Sequence, residues 1–248
     1  MPARFKITIE YDGTGLLGWQ RQLDGPSVQE YIETAIYKFS SQIVEVHGSG
    51  RTDAGVHALG QVAHFDFDTD MDEFKLREAL NAHLKIMEAK IAILEVEKVQ
   101  NDFNARFDTV KRSYIYRILN RRASSPLREN RVWHINYPLD IEKMKEAGRH
   151  LLGHHDFSSF RAAACQAKSP EKTLDIIEIT KEGDEIVFYF EAKSFLHHQV
   201  RNMVGTLKMA GDKSITPKDV KTILEAKDRT KAGITAPACG LYFKQVWY

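Results

Sequence analysis

The chain has 248 residues, 43% of them hydrophobic and 28% charged, with a formal net charge of +1. That length suits one large domain or two small ones with a real core, and the composition excludes a disordered or fibrous chain. No run of about eighteen apolar residues occurs, which excludes a helical membrane span. The start, MPARFKITIEYDG, lacks the apolar stretch of a secretion signal, and Cys165 and Cys239 form no disulfide framework, so a reduced, cytoplasmic protein is expected.

The near-neutral total hides an asymmetry. Residues 1–110 carry 11 basic and 18 acidic side chains, a net of −7, and residues 111–248 carry 24 and 16, a net of +8. A basic half on a neutral chain points to a polyanionic partner.

In chain order, RFKITIEY alternates: Phe5, Ile7, Ile9 and Tyr11 share one face, as in a half-buried strand. YDGTGLLGW then turns on three glycines. PSVQEYIETAIYKFS reads as a helix, with Ser27 and Glu30 as a capping box and Val28, Ile32, Ala35, Ile36 and Phe39 on one side. IVEV and QVAHFDF read as strands on either side of a glycine-rich loop. DEFKLREALNAHL reads as a helix, KIAILEVE as a strand, and KRSYIYRIL as a strand with Tyr114, Tyr116 and Ile118 on one face.

The second half follows suit. IEKMKEAGRHLLG is a helix capped by Asp140 and stopped by Gly153. TLDIIEIT and EIVFYFEA form a hairpin across Glu182-Gly183-Asp184. FLHHQVRNMVGTLKMAG is a helix with Val200, Met203, Val204 and Leu207 inward. TPKDVKTILEAK starts on Thr216 and Pro217, and GLYFKQVW closes as a strand. The expected fold is α+β, two similar α/β halves with largely antiparallel sheets, residues 1–110 and 111–248. NRRASSPLREN is the expected hinge.

The loop GSGRTDAGVHALGQ (residues 48–61) places Arg51 and Asp53 among four glycines. A dinucleotide fingerprint needs glycine where Asp53 stands, and a P-loop needs Lys-Ser/Thr where Val56 and His57 stand. An aspartate at the centre would also repel phosphate. Two readings remain. The Asp53 carboxylate caps a turn by accepting backbone N–H bonds, or Arg51 keeps it ionised and the glycines admit a ligand, making it a nucleophile or general base. Tyr114 is open to a core reading, and Arg201 to that of a solvated charge on an amphipathic helix. Cys165, His197, His198 and Cys239 lack metal-ligand spacing, so no metal is expected.

GSGRTDAGVHALGQVAHF resembles the signature loop of the tRNA pseudouridine synthase A family. IEYDGTGLLGWQRQ, DFNARFDTVKRSYIYRI, FSSFRAAACQAKSP, SFLHHQVRNMVGTL and AKDRTKAGITAPACGLYF resemble further motifs of that family, in the same order. The resemblance implies isomerisation of uridine to pseudouridine in the tRNA anticodon stem-loop, at about positions 38–40, where the target base must be flipped out of its stack. It implies no cofactor, because the reaction is an isomerisation. It further implies a homodimer and a fold whose two halves form a continuous sheet around a basic cleft. Asp53 falls on the family's catalytic aspartate, which attacks ribose C1′, adds to uracil C6 or removes the 2′ proton. Arg51 falls on the loop arginine linked to nucleotide flipping, Tyr114 on the tyrosine that packs on the target base, and Arg201 on the arginine that pairs with the aspartate. Leu241 falls near an apolar wall of the base pocket. The rival expectation is a tRNA-binding chaperone on the same scaffold, without chemistry.

Overall fold

A computed structural model describes residues 2–248. The fold is α+β, and the chain forms two compact units: residues 1–110 with Tyr242–Tyr248, and Lys111–Leu241.

The first unit is built on β1 (Ala3–Tyr11), whose alternation buries Phe5, Ile7, Ile9 and Tyr11. β1 pairs antiparallel with β3 (His57–Phe67) on one side and with β4 (Ile91–Val99) on the other. The short β2 (His47–Gly48) adds to β3 antiparallel. β10 (Leu241–Trp247), the last strand of the chain, joins β3 in parallel through Tyr242 and Phe243. Sequence periodicity alone does not reveal such a return, because parallel partners need a long crossover.

Two helices complete this unit, α1 (Val28–Ser40) and α2 (Glu73–Ile86), which pack on each other, α2 also against β4. Ile32, Ile36, Leu76, Leu80 and Leu84, spaced at helical intervals, are fully buried. Ser27 caps α1 by accepting the Glu30 amide at 3.3 Å. The Glu30 carboxylate lies 3.7 Å from Arg21 instead of closing the expected capping box. The expected IVEV strand is also displaced. Residues 43–46 are irregular and the pairing falls on His47–Gly48, because the Val46 amide is drawn to the Glu33 carboxylate at 3.0 Å.

The second unit centres on β5 (Lys111–Asn120), antiparallel to β9 (Glu185–Ala192). β9 pairs with β8 (Glu171–Glu182), and β8 with β7 (Gly153–Asp156). β6 (Trp133–Ile135) runs parallel to β5. The β8–β9 hairpin turns through Gly183, at φ 60°, and Asp184, as the sequence suggests. Tyr116, Phe188, Phe190 and Met203 are fully buried in its core.

Three helices pack here: α3 (Ile141–Arg149), α4 (Gln199–Gly211) and α5 (Pro217–Ala226). Asp140 caps α3, and Thr216 and Asp219 form a complete capping box on α5. α3 ends at Arg149, short of the expected stop, and Gly153, at φ 95°, opens β7. α4 begins at Gln199 rather than in the preceding FLHH, since His198 takes the left-handed conformation at φ 62°. The expected hinge at 120–130 lies within this unit. Arg121 ties it down by donating to the carbonyls of Ala123 and Ser124 and to the Asp184 carboxylate.

Candidate active site

In the first unit, Asp53 lies on the loop between β2 and β3, and the neighbouring segment explains why the loop is rich in glycine. It sits in a socket made by residues 11–19, the YDGTGLLGW stretch. The Trp19 amide donates to the Thr52 carbonyl at 3.1 Å, and the Gly55 amide to the Leu16 carbonyl at 3.2 Å. A side-chain carbon on Gly13 would collide with the Val56 carbonyl, and one on Gly18 with the Thr52 carbonyl. A side-chain carbon on Gly48 would run into the Trp19 indole. These glycines are required by close approach of one chain segment to another.

The loop is braced from three sides. Gln61, fully buried in β3, accepts from Ser49 Oγ at 2.5 Å and donates through Nε2 to the Gly50 carbonyl at 2.8 Å. Tyr11 Oη and Thr52 Oγ1 share a buried hydrogen bond of 2.7 Å. His57 stacks on Tyr242 with ring centroids 4.7 Å apart, and its Nδ1 accepts the Gly13 amide at 3.0 Å. Asp12, which orders the same corner by accepting from the Thr14 amide and hydroxyl, lies 3.2 Å from that nitrogen.

Asp53 opens a tight turn. Its carbonyl accepts the Val56 amide at 3.1 Å, and Gly55 takes φ 77° at the third position, as a type II turn demands. Within the triplet Arg51-Thr52-Asp53, Arg51 is exposed, Thr52 buried and Asp53 half-buried. The buried middle residue anchors the triplet and leaves the two charged side chains at the surface of the socket. Sequence reasoning singled out Arg51 and Asp53 but not Tyr11, Trp19 and Gln61, which hold the loop through Thr52, Ser49 and Gly50. The available signal was the second glycine-rich stretch, YDGTGLLGW, which the sequence shows as a turn but not as the seat of the later loop.

In the second unit, Tyr114 is half-exposed on β5, its ring edge-on to Phe195 at 5.1 Å. Tyr116, two residues on, is wholly buried, and its hydroxyl donates to the Pro237 carbonyl at 2.8 Å. Burial pushes that phenol well above its ordinary value. The two tyrosines expected on one face therefore differ: Tyr116 is core, and Tyr114 keeps an accessible ring. Arg201 projects from α4, and its Nε donates to the Ala236 carbonyl at 2.7 Å, while the Ala236 amide returns a bond to the Arg201 carbonyl at 3.2 Å. Leu241 is buried at the start of β10.

The segment before Leu241 is held to α4 by a polar cluster that sequence reading left out. Arg229 donates to the Gly233 carbonyl at 2.9 Å and to Asn202 Oδ1 and Thr235 Oγ1, each at 3.0 Å. Asn202 in turn donates to the Phe160 carbonyl at 2.8 Å, and Thr206 accepts the Gly233 amide at 2.8 Å. A side-chain carbon on Gly205 would collide with the Ile234 carbonyl, so the segment lies directly on the helix backbone.

The family model described as tRNA pseudouridine synthase matches residues 7–108 and 147–248. The chain belongs to this family. A protein of Rhodospirillum centenum named tRNA pseudouridine synthase A is 54% identical over 245 residues, which span 99% of this chain and 99% of that protein. Proteins of the same name from Paramagnetospirillum magneticum and Ehrlichia canis are 53% and 52% identical, over 99% of this chain and 95% and 100% of their own lengths. Family membership makes the chain an isomerase of tRNA uridine, and gives the rival reading, a chaperone without chemistry, no support. No helix among the described residues is long and apolar enough to cross a membrane.

Proposed function

We propose that this tRNA pseudouridine synthase acts in the anticodon stem-loop, at about positions 38–40, with Asp53 as its catalytic carboxylate. The carrying observation is the state of Asp53: a half-buried acid at the head of a tight turn, on a loop seated in a rigid, glycine-lined socket. Rigid support of a reactive group lowers the cost of reaching the reactive geometry. The reaction breaks the bond between ribose C1′ and uracil N1, turns the base and joins C1′ to C5, while N1 takes up a proton and the C5 proton passes to solvent. Its atoms and electrons balance without an oxidant or a nucleotide.

Arg51, Tyr114, Arg201 and Leu241 are the proposed substrate-binding residues. Arg51 is exposed beside Asp53, where a guanidinium is free to enter a stem as the nucleotide leaves it. The accessible ring of Tyr114 supplies a stacking platform for a flipped base, worth about 1–3 kcal/mol. Arg201, whose Nε donates to the Ala236 carbonyl, is the proposed cationic partner for anionic or carbonyl oxygen. Leu241 contributes apolar wall.

The excess of basic residues from 111 onward supports contact with tRNA phosphates. We also place the enzyme in the cytoplasm as a homodimer, a state that light scattering of the purified protein checks. Mapping pseudouridine by position in tRNA treated with the enzyme tests the site assignment. Product confined to positions 38–40 supports it, and product elsewhere in the tRNA refutes it.

A further inference from the structure

Strict alternation makes Tyr11 look like one more core residue of β1, in line with Phe5, Ile7 and Ile9. Its ring is indeed 3% exposed. The pairing of β1 with β3 nevertheless slips by one residue between Ile9, opposite Gln61, and Tyr11, opposite Ala58. Irregularities of this kind re-aim a side chain, and they gather beside active sites. Here the hydroxyl reaches the 49–56 loop and meets Thr52 Oγ1 at 2.7 Å, in a buried bond that spans 41 residues of sequence. Thr52 is the residue before Asp53, and its carbonyl is already held by the Trp19 amide at 3.1 Å.

We infer that Tyr11 is a positioning residue: its buried hydroxyl fixes the Thr52 side chain and so sets the direction in which the Asp53 carboxylate leaves its turn. This rests on the proposed role of Asp53. Two anchors act on one residue, through different atoms. The Trp19 amide holds the Thr52 backbone in place, and the Tyr11 hydroxyl removes rotation about that backbone anchor. Losing the second anchor leaves the loop docked but less sharply oriented. A misplacement of about 1 Å at a reacting group costs as much as ~100-fold in rate.

The test is single-turnover isomerisation of tRNA by saturating enzyme, with tRNA affinity measured separately, at a temperature well below unfolding. Tyr11→Phe, which keeps the ring and deletes one oxygen, is expected to slow the chemical step at least about tenfold, with affinity within about twofold of wild type. Thr52→Val should lose as much, Thr52→Ser less, and the Tyr11→Phe/Thr52→Val double variant no more than either single one. A purely structural role would lower thermal stability and leave the rate of the folded protein unchanged. A wild-type single-turnover rate for Tyr11→Phe, or independent losses that multiply in the double variant, overturns the inference. Asp53→Ala serves as the control. If it keeps its activity, the proposed role of Asp53 fails and this inference with it. If it is inactive while Tyr11→Phe is fully active, only the role of Tyr11 fails.

Discussion

Gly18 and Thr52 approach so closely that the first has no room for a side chain: a carbon there would overlap the Thr52 carbonyl and lie 2.9 Å from the carbonyl carbon of Asp53. The conformation of Gly18, φ 97°, is also one that other residues resist. The two glycine-rich stretches of the first unit thus act as one device, the earlier serving as the seat of the later.

Gly18→Ala is therefore expected to lower stability by at least about 2 kcal/mol, combining backbone strain with steric overlap. It should also depress activity more than the stability loss alone explains. Urea denaturation and turnover on the folded fraction check both. Gly15→Ala is the comparison, since Gly15 has a similar φ of 83° but open space around it, and it should cost less.

Gln61 offers a second handle on the same loop. Gln61→Leu keeps approximate volume but leaves the Gly50 carbonyl without the amide donor and removes the acceptor facing Ser49. The expected cost is about 1–3 kcal/mol, read as a lower denaturation midpoint.

Much of the fold was legible because burial leaves a periodic trace. The face of β1, the stripe of α1, the presence of α2 and the 182–185 hairpin follow from spacing and turn chemistry. Arg51 and Asp53 stood out as charge among glycines. What periodicity could not show were relationships between distant segments: the parallel return of β10 onto β3, the seat that Gly13 and Gly18 provide, and the hydroxyl of Tyr11 reaching Thr52. The short β6 and β7 were also missed. β6 has three residues and β7 is Gly-His-His-Asp, so neither carries an apolar alternation. Tyr114 and Tyr116 share one strand parity, yet only their neighbours decide that one is core and the other accessible.

The first unit should carry an acid sensitivity centred on His64. This imidazole is 2% exposed, its Nδ1 accepts the Ala105 amide at 3.2 Å, and it stacks on His47. Burial pushes it down to about 4, with Arg4 and His47 adding to the effect and Asp66 and Asp108 opposing it. The folded protein therefore keeps His64 neutral while the unfolded chain takes up a proton near 6.5. Stability is full above that value and declines as pH falls from 6.5 towards 4, by up to about 3 kcal/mol from this group. Denaturation at a series of pH values should show a steeper decline for wild type than for His64→Phe. Parallel slopes would assign the acid sensitivity to other groups.

Arg229 makes the corresponding prediction for the second unit. Its planar fork serves a carbonyl and two side-chain oxygens at once, a task that a lysine point charge cannot reproduce. Arg229→Lys is expected to cost about 1–3 kcal/mol. Proteolysis should reveal loosening at residues 232–237 before the rest of that unit opens.

The central claim is that the Asp53 carboxylate carries out the isomerisation. Because the reaction releases the C5 hydrogen, tRNA bearing tritium at uracil C5 reports it directly. Wild-type enzyme should release tritium to solvent, and Asp53→Ala should release none above background while keeping its fold and its affinity for tRNA. Release by Asp53→Ala at the wild-type rate would contradict the account.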